Sequence, residues 1–180
     1  MCFVLYLACD GPVPERAWNP ADRHVHTRPL LLDEEAVRGR FSLSEVAYVG
    51  SSQECGCGFR SITRFNGDVL ADMLWEMDAI QNGDVEIANH RELCELVDEA
   101  FLRGATQIEL YGCWSGDEQE VSLATETSSR EQLSHARFCF REGNLYRITG
   151  PAPVASEVRH RIDSDPPLGD ARDESGKSNE

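Results

Sequence analysis

No stretch of this sequence approaches the ~20 apolar residues that a membrane-spanning helix requires, so no membrane partner is expected. Positive charge is scarce: 17 Lys and Arg stand against 32 Asp and Glu, a formal net charge of -15. Such a surface repels phosphate backbones, which argues against nucleic acid and leaves a cation or a basic protein as the partner that charge would favour. No basic residue precedes the apolar opening CFVLYLAC, and that run is too short for an export signal with its cleavage site. It is expected to be a buried strand of a cytoplasmic protein. Phosphate-binding glycine loops, a nucleophile elbow and internal repeats are all missing. Cysteine, in contrast, is plentiful. Seven are present, an odd number, and only Cys55 and Cys57 lie close together. That is not the even framework of a small secreted domain, and reduced thiols are expected.

With 180 residues, of which 41% are hydrophobic, the chain is long enough for one domain with a substantial core. Residues 3–8 read as a buried strand, and the proline-rich stretch 12–22 as a loop. HVHTRPLLL begins as a short strand that Pro29 confines to an edge or ends. DEEAVRGRF suits a short helix and EVAYVG a strand. Two helices follow: GDVLADMLWEMDAI, with Val69, Leu70, Met73, Leu74, Met77 and Ile80 at helical spacing, and NHRELCELVDEAFLRG, with Asn89 as its cap and Gly104 as its stop. TQIELYGCW and EVSLAT are strands, and ARFCFREGNLYRITG reads as a hairpin turning at Glu142, Gly143 and Asn144. This order predicts an α+β domain over 1–150, a mixed sheet with two main helices and a C-terminal β-hairpin.

Residues 151–180 hold four prolines, repeated acidic groups and only Val154, Val158, Ile162 and Leu168 as larger aliphatics. Burying those four falls short of the entropy lost on ordering the segment, so a disordered acidic tail is expected. Deleting everything after Gly150 should therefore shift the melting temperature by less than ~5 °C. A larger fall in calorimetry would place the tail on the core.

The stretch most suggestive of chemistry is ECGCGF, residues 54–59. In an extended strand, Cys55 and Cys57 would point to one face with Cα atoms about 7 Å apart. Gly56 and Gly58 permit positive φ, so the loop can curl and bring both sulfurs to one centre. Zinc and iron–sulfur centres need three or four ligands, so two cysteines are half a site. His24 and His26, again one residue apart, would complete a Cys2His2 set, with Cys9 or Cys113 as substitutes. The alternatives are a glycine turn with incidental thiols and a reversible disulfide, whose ring over one residue would be strained and oxidising.

MCFVLYLACDGPVP, AYVGSSQECGCGF and IELYGCWSGDE together resemble a family of small bacterial proteins over about residues 1–120. The resemblance implies no activity. That family carries Gly where Glu54 precedes Cys55 here. Cys55–Gly58 also resembles the Cys-Gly-Cys-Gly of A-type iron–sulfur carriers, which place it near their C-terminus and follow it with Ser-Phe, unlike Phe59-Arg60.

Two further candidates remain. Cys2 follows the initiator Met, as in N-terminal cysteine amidohydrolases, where the freed amine acts as base and the thiol attacks a carbonyl. Those enzymes need two stacked antiparallel sheets. YGCWSGDE, residues 111–118, ends a strand in a glycine turn that projects Trp114, Asp117 and Glu118. A thiol-based site at Cys55 and Cys57, linked to zinc or iron–sulfur, is the leading expectation. The others are Cys2 amide hydrolysis and a non-enzymatic protein-interaction domain with structural cysteines.

Overall fold

The computed structural model describes residues 2–62, 68–120 and 122–150, with side chains in the helical stretch from Gly83 onward. The tail 151–180 and the side chains of the expected first helix, Val69 to Ile80, lie outside the described residues. The fold is α+β, built on a mixed sheet. In chain order the elements are β1 (Phe3–Cys9), β2 (His26–Pro29), β3 (Glu45–Gly50), β4 (Ser61–Ile62), α1 (Asp68–Leu102), β5 (Gln107–Trp114), β6 (Ala124–Thr127), α2 (Arg130–Leu133), β7 (Phe140–Arg141) and β8 (Asn144–Thr149). Six strands form the main sheet in the order β2-β3-β1-β5-β8-β6, and β4 pairs with β7 in a small second one. All main-sheet pairs are antiparallel except β6 with β8. Among the described residues no helix is long and apolar enough to cross a membrane.

Strand alternation divides the sheet into two apolar faces. Phe3, Leu5, Leu7 and Cys9 of β1 lie with Ile108, Leu110, Tyr146 and Ile148 on one face, against Leu93, Leu96, Val97 and Ala100 of α1. Val4, Tyr6 and Ala8 lie on the other with Tyr48, Tyr111 and Cys113, under Val37, Phe41 and Leu43. Every β1 residue is buried, as a central strand covered on both sides should be. On the second face Glu109 is fully buried. Burial alone would raise its pKa, but the Ser42 hydroxyl and Arg147 donate hydrogen bonds that hold it below the ordinary carboxylate range.

β2 is an edge strand, as Pro29 suggests. Its outer side is not open, because Thr27 N–H donates to the Arg16 carbonyl at 2.8 Å and the Thr27 hydroxyl donates to the Pro14 carbonyl at 2.6 Å. The proline-rich segment therefore shields the edge from strand addition.

Two details depart from the expected pattern. The two helices are one continuous α1. Asn89 does not cap a helix, since its amide is spent on the cysteine loop, and Glu92 accepts from Val25 N–H at 2.7 Å. Gly104 does stop the helix, at φ +103°. The complete capping box lies instead on the short helix α2, between Ser129 and Gln132. The chain also turns at Glu142–Gly143 as expected, but the arms join different sheets: β7 pairs with β4, whereas β8 pairs with β5 and β6. Phe138, Phe140, Phe59 and Tyr146 pack their rings together there, which holds β7 beside β4.

Candidate functional site

The three cysteine-bearing motifs meet at one end of the sheet. β1 starts beside the end of β5, and the Cys2 carbonyl accepts from Ser115 N–H at 2.8 Å. The Phe3 and Trp114 rings stand edge to face at 5.9 Å. Gly112 makes room for that ring, because a Cβ there would lie 2.4 Å from Phe3 Cζ. The cysteine loop, a single 3-10 turn over Gly56–Gly58, lies across the same place. A Cβ on Gly56 would come within 2.6 Å of the Phe3 carbonyl oxygen, and one on Gly58 within 2.3 Å of Ser51 Oγ and 2.7 Å of Asn89 Nδ2.

The loop glycines thus serve close approach. Positive φ falls instead on Glu54, at 72°, the position where the resemblance leads one to expect Gly. A side chain in that conformation costs roughly 1–2 kcal/mol, offset in part by glycine's greater chain entropy. Glu54→Gly is therefore expected to stabilise the protein by up to about 1 kcal/mol, read as a higher urea midpoint. A lower midpoint would show that the Glu54 side chain contributes more than its backbone strain.

A polar clamp holds the loop. Ser51 Oγ and N–H both donate to the Cys55 carbonyl, at 2.6 and 3.0 Å. Asn89 donates from Nδ2 to the Gly58 carbonyl at 2.8 Å and accepts from Ser52 N–H at 3.1 Å. His90 Nε2 accepts from Arg60 N–H at 3.1 Å, and Arg60 pairs with Glu86 at 3.0 Å, both side chains being buried. From sequence Asn89 reads as a helix cap, and none of these groups is expected to hold the loop. The available signal was a polar pair, Asn89 and His90, one turn before Leu93 on the apolar face of a helix.

On this base stand three free thiols: Cys2 and Cys57 at the surface, Cys55 half-buried. Cys57 Sγ lies 4.0 Å from the Phe3 carbonyl. Partial desolvation of that sulfur, its interaction with the Cys55 thiol and the nearby Cys2 thiol push its pKa up to about 11. At neutral pH Cys57 is therefore a protonated thiol.

The other expected ligands lie elsewhere. His26 is buried, its ring over Gly50, where a Cβ would sit 2.0 Å from Cε1, and between Trp18 and Tyr48. Burial pulls its pKa down. His24 is half-buried and donates from Nδ1 to the Asp22 carbonyl at 2.6 Å. Cys9 is at the far end of β1, donating to the Gly11 carbonyl. Cys113 is in the second core with its thiol pushed up to about 12 by burial and by Glu118. Among the described residues, no group of three or more His, Cys, Asp or Glu side chains is placed to hold a metal ion. In YGCWSGDE, Glu118 turns inward, accepting from Gly116 N–H at 2.9 Å and the Tyr6 hydroxyl at 3.4 Å. It anchors the turn and does not join Asp117 in a paired-carboxylate site. Among the described residues, the one six-stranded sheet is not the stacked pair on which cysteine amidohydrolases are built. No protein-family model, no curated protein and no solved structure matches this chain.

Proposed function

We propose that the protein works through a dithiol centre at Cys55 and Cys57, cycling between two thiols and an intramolecular disulfide in a reducing cytosol. The observation that carries this reading is that Cys55 and Cys57, both free, share a clamped surface loop on which the Cys55 thiol raises the pKa of its neighbour. Cys55 is the extended residue that enters the 3-10 turn and Cys57 lies within it, so the chain bends between the two thiols. Zinc or iron–sulfur binding would require ligands beyond this pair. In the proposed step, the thiolate of one cysteine attacks a low-molecular-weight disulfide and expels one thiolate. The second cysteine, deprotonated, then attacks the mixed disulfide and expels the other. The protein loses two electrons and two protons, and the small disulfide becomes two thiols.

Because Cys57 titrates near 11, the reaction should be slow at neutral pH. Where Cys57 attack sets the rate, it should quicken roughly tenfold per pH unit from 7 to 10 as the thiolate fraction rises. Reduced protein treated with glutathione disulfide should lose two thiols and yield a peptide linked between Cys55 and Cys57. Dithiothreitol should reverse this, and Cys55→Ser with Cys57→Ser should abolish it in a folded protein. A pair that stays reduced across that pH range would refute the reading. Zinc or iron bound near one equivalent, and lost in the double variant, would replace it with a metal centre.

A further inference from the structure

We infer that the groove beside β2 and β3 binds a basic, proline-containing peptide segment in extended form. The groove encloses about 990 Å³, with Trp18, His26 and Tyr48 in its wall and Pro12, Pro14 and Pro29 at its border. Its charge is one-sided once internal pairs are assigned. Arg16 is held by Glu99 at 3.1 Å, Arg28 by Glu34 at 2.6 Å and Arg38 by Glu35 at 2.6 Å. The Arg28 guanidinium also lies 3.8 Å over the Tyr48 ring. Three exposed carboxylates of the same wall, Glu15, Glu45 and Glu54, are in no salt bridge among the described residues. The groove thus offers free negative charge around the partly exposed Trp18 ring, on a chain whose formal charge is -15.

The binding mode follows from the strand edge. Thr27 is already bonded to the Pro14–Arg16 segment, and Pro29 has no N–H to offer, so an incoming segment cannot add to the sheet. Recognition must come through side chains. A polyproline II segment needs no ladder of backbone bonds, and it docks against an aromatic ring that shows one face, with little ordering cost. Trp18, half-buried against His26 at 4.8 Å, supplies such a ring. Arg or Lys side chains of the segment would reach the three glutamates. This inference is independent of the dithiol reading, since Cys55→Ser with Cys57→Ser should leave it intact.

The test is fluorescence anisotropy with the full chain and a labelled decapeptide of alternating arginine and proline, against its glutamate–proline and arginine–glycine counterparts. The first should bind at least roughly tenfold more tightly than either other. Trp18→Ala should weaken it by a similar factor. Glu15→Gln, Glu45→Gln and Glu54→Gln together should weaken it and flatten its salt dependence. The control Asp84→Asn, Glu95→Gln and Glu120→Gln removes the same charge from exposed sites elsewhere and should change little. Circular dichroism melts establish that each variant is folded. Absence of binding, equal effects of the two triple variants, or indifference to Trp18→Ala would overturn the inference.

Discussion

Replacing Arg60 by leucine is expected to destabilise the protein by about 3–5 kcal/mol, the usual loss when one partner of a buried ion pair is removed. Arg60 Nε and Glu86 Oε2 are 3.0 Å apart, and both side chains are only 5% exposed. The same guanidinium reaches the Gly83 carbonyl at 3.4 Å. Arg60→Leu takes the cation away from a carboxylate that water hardly reaches. Arg60→Leu combined with Glu86→Leu should recover most of the loss, because an apolar pair of similar volume often replaces a buried ion pair at little cost. Urea unfolding at neutral pH measures both. If the double variant is no better than the single one, the ion pair is not the cause. Arg60 directly follows the cysteine loop, so the single variant should also speed alkylation of Cys55 and Cys57 by a neutral reagent.

Acid should remove about 3 kcal/mol of stability through His90 alone. Its ring is stacked on Phe140 at 5.6 Å, edge-on to Phe59 and Phe138. Burial first, and the Arg60 charge second, pull its pKa down to about 4, from an ordinary 6.5. Between those values the unfolded chain takes up a proton that the folded protein refuses. Stability must then fall as pH drops from 6.5 to 4, and the loss is complete below 4. His26, also pulled down by burial, adds in the same direction. The carboxylates held low, among them Glu34 and Glu109, act at lower pH. Urea midpoints between pH 7 and 4 should show the slope, and His90→Phe should remove the His90 share of it. That variant also strips an acceptor from Arg60 N–H, so its stability at pH 7 will be lower while its pH profile is flatter. An unchanged slope would mean that His90 does not hold its proton balance by burial.

Much of the fold was legible because its signals are local. FVLYLA, EVAYVG and QIELYGCW are apolar runs of strand length, and each is a buried strand. Pro29 marked an edge because a residue without an N–H cannot sit between two strands. Gly104 marked a helix end because that turn needs a positive φ. The low positive charge and the missing apolar run were properties of composition, independent of any fold. What misled was equally local. Asn89 reads as a cap by type, yet it lies inside α1 because two backbone groups of a distant loop, Ser52 N–H and the Gly58 carbonyl, require partners once buried.

The candidate site belongs to the other kind of information. That cysteines stand at 2, 55 and 57 is written in the chain. That they share one corner depends on β1 pairing between β3 and β5, which carries Cys2 to the place where the loop after β3 crosses Phe3. Likewise, His24 and His26 have the spacing of a ligand pair, but burial against Gly50 and Trp18 assigns His26 to the wall of the groove. Spacing along a chain limits only near neighbours. Which distant groups meet is decided by strand pairing and by the close packing of two apolar faces, and those satisfy the whole domain at once.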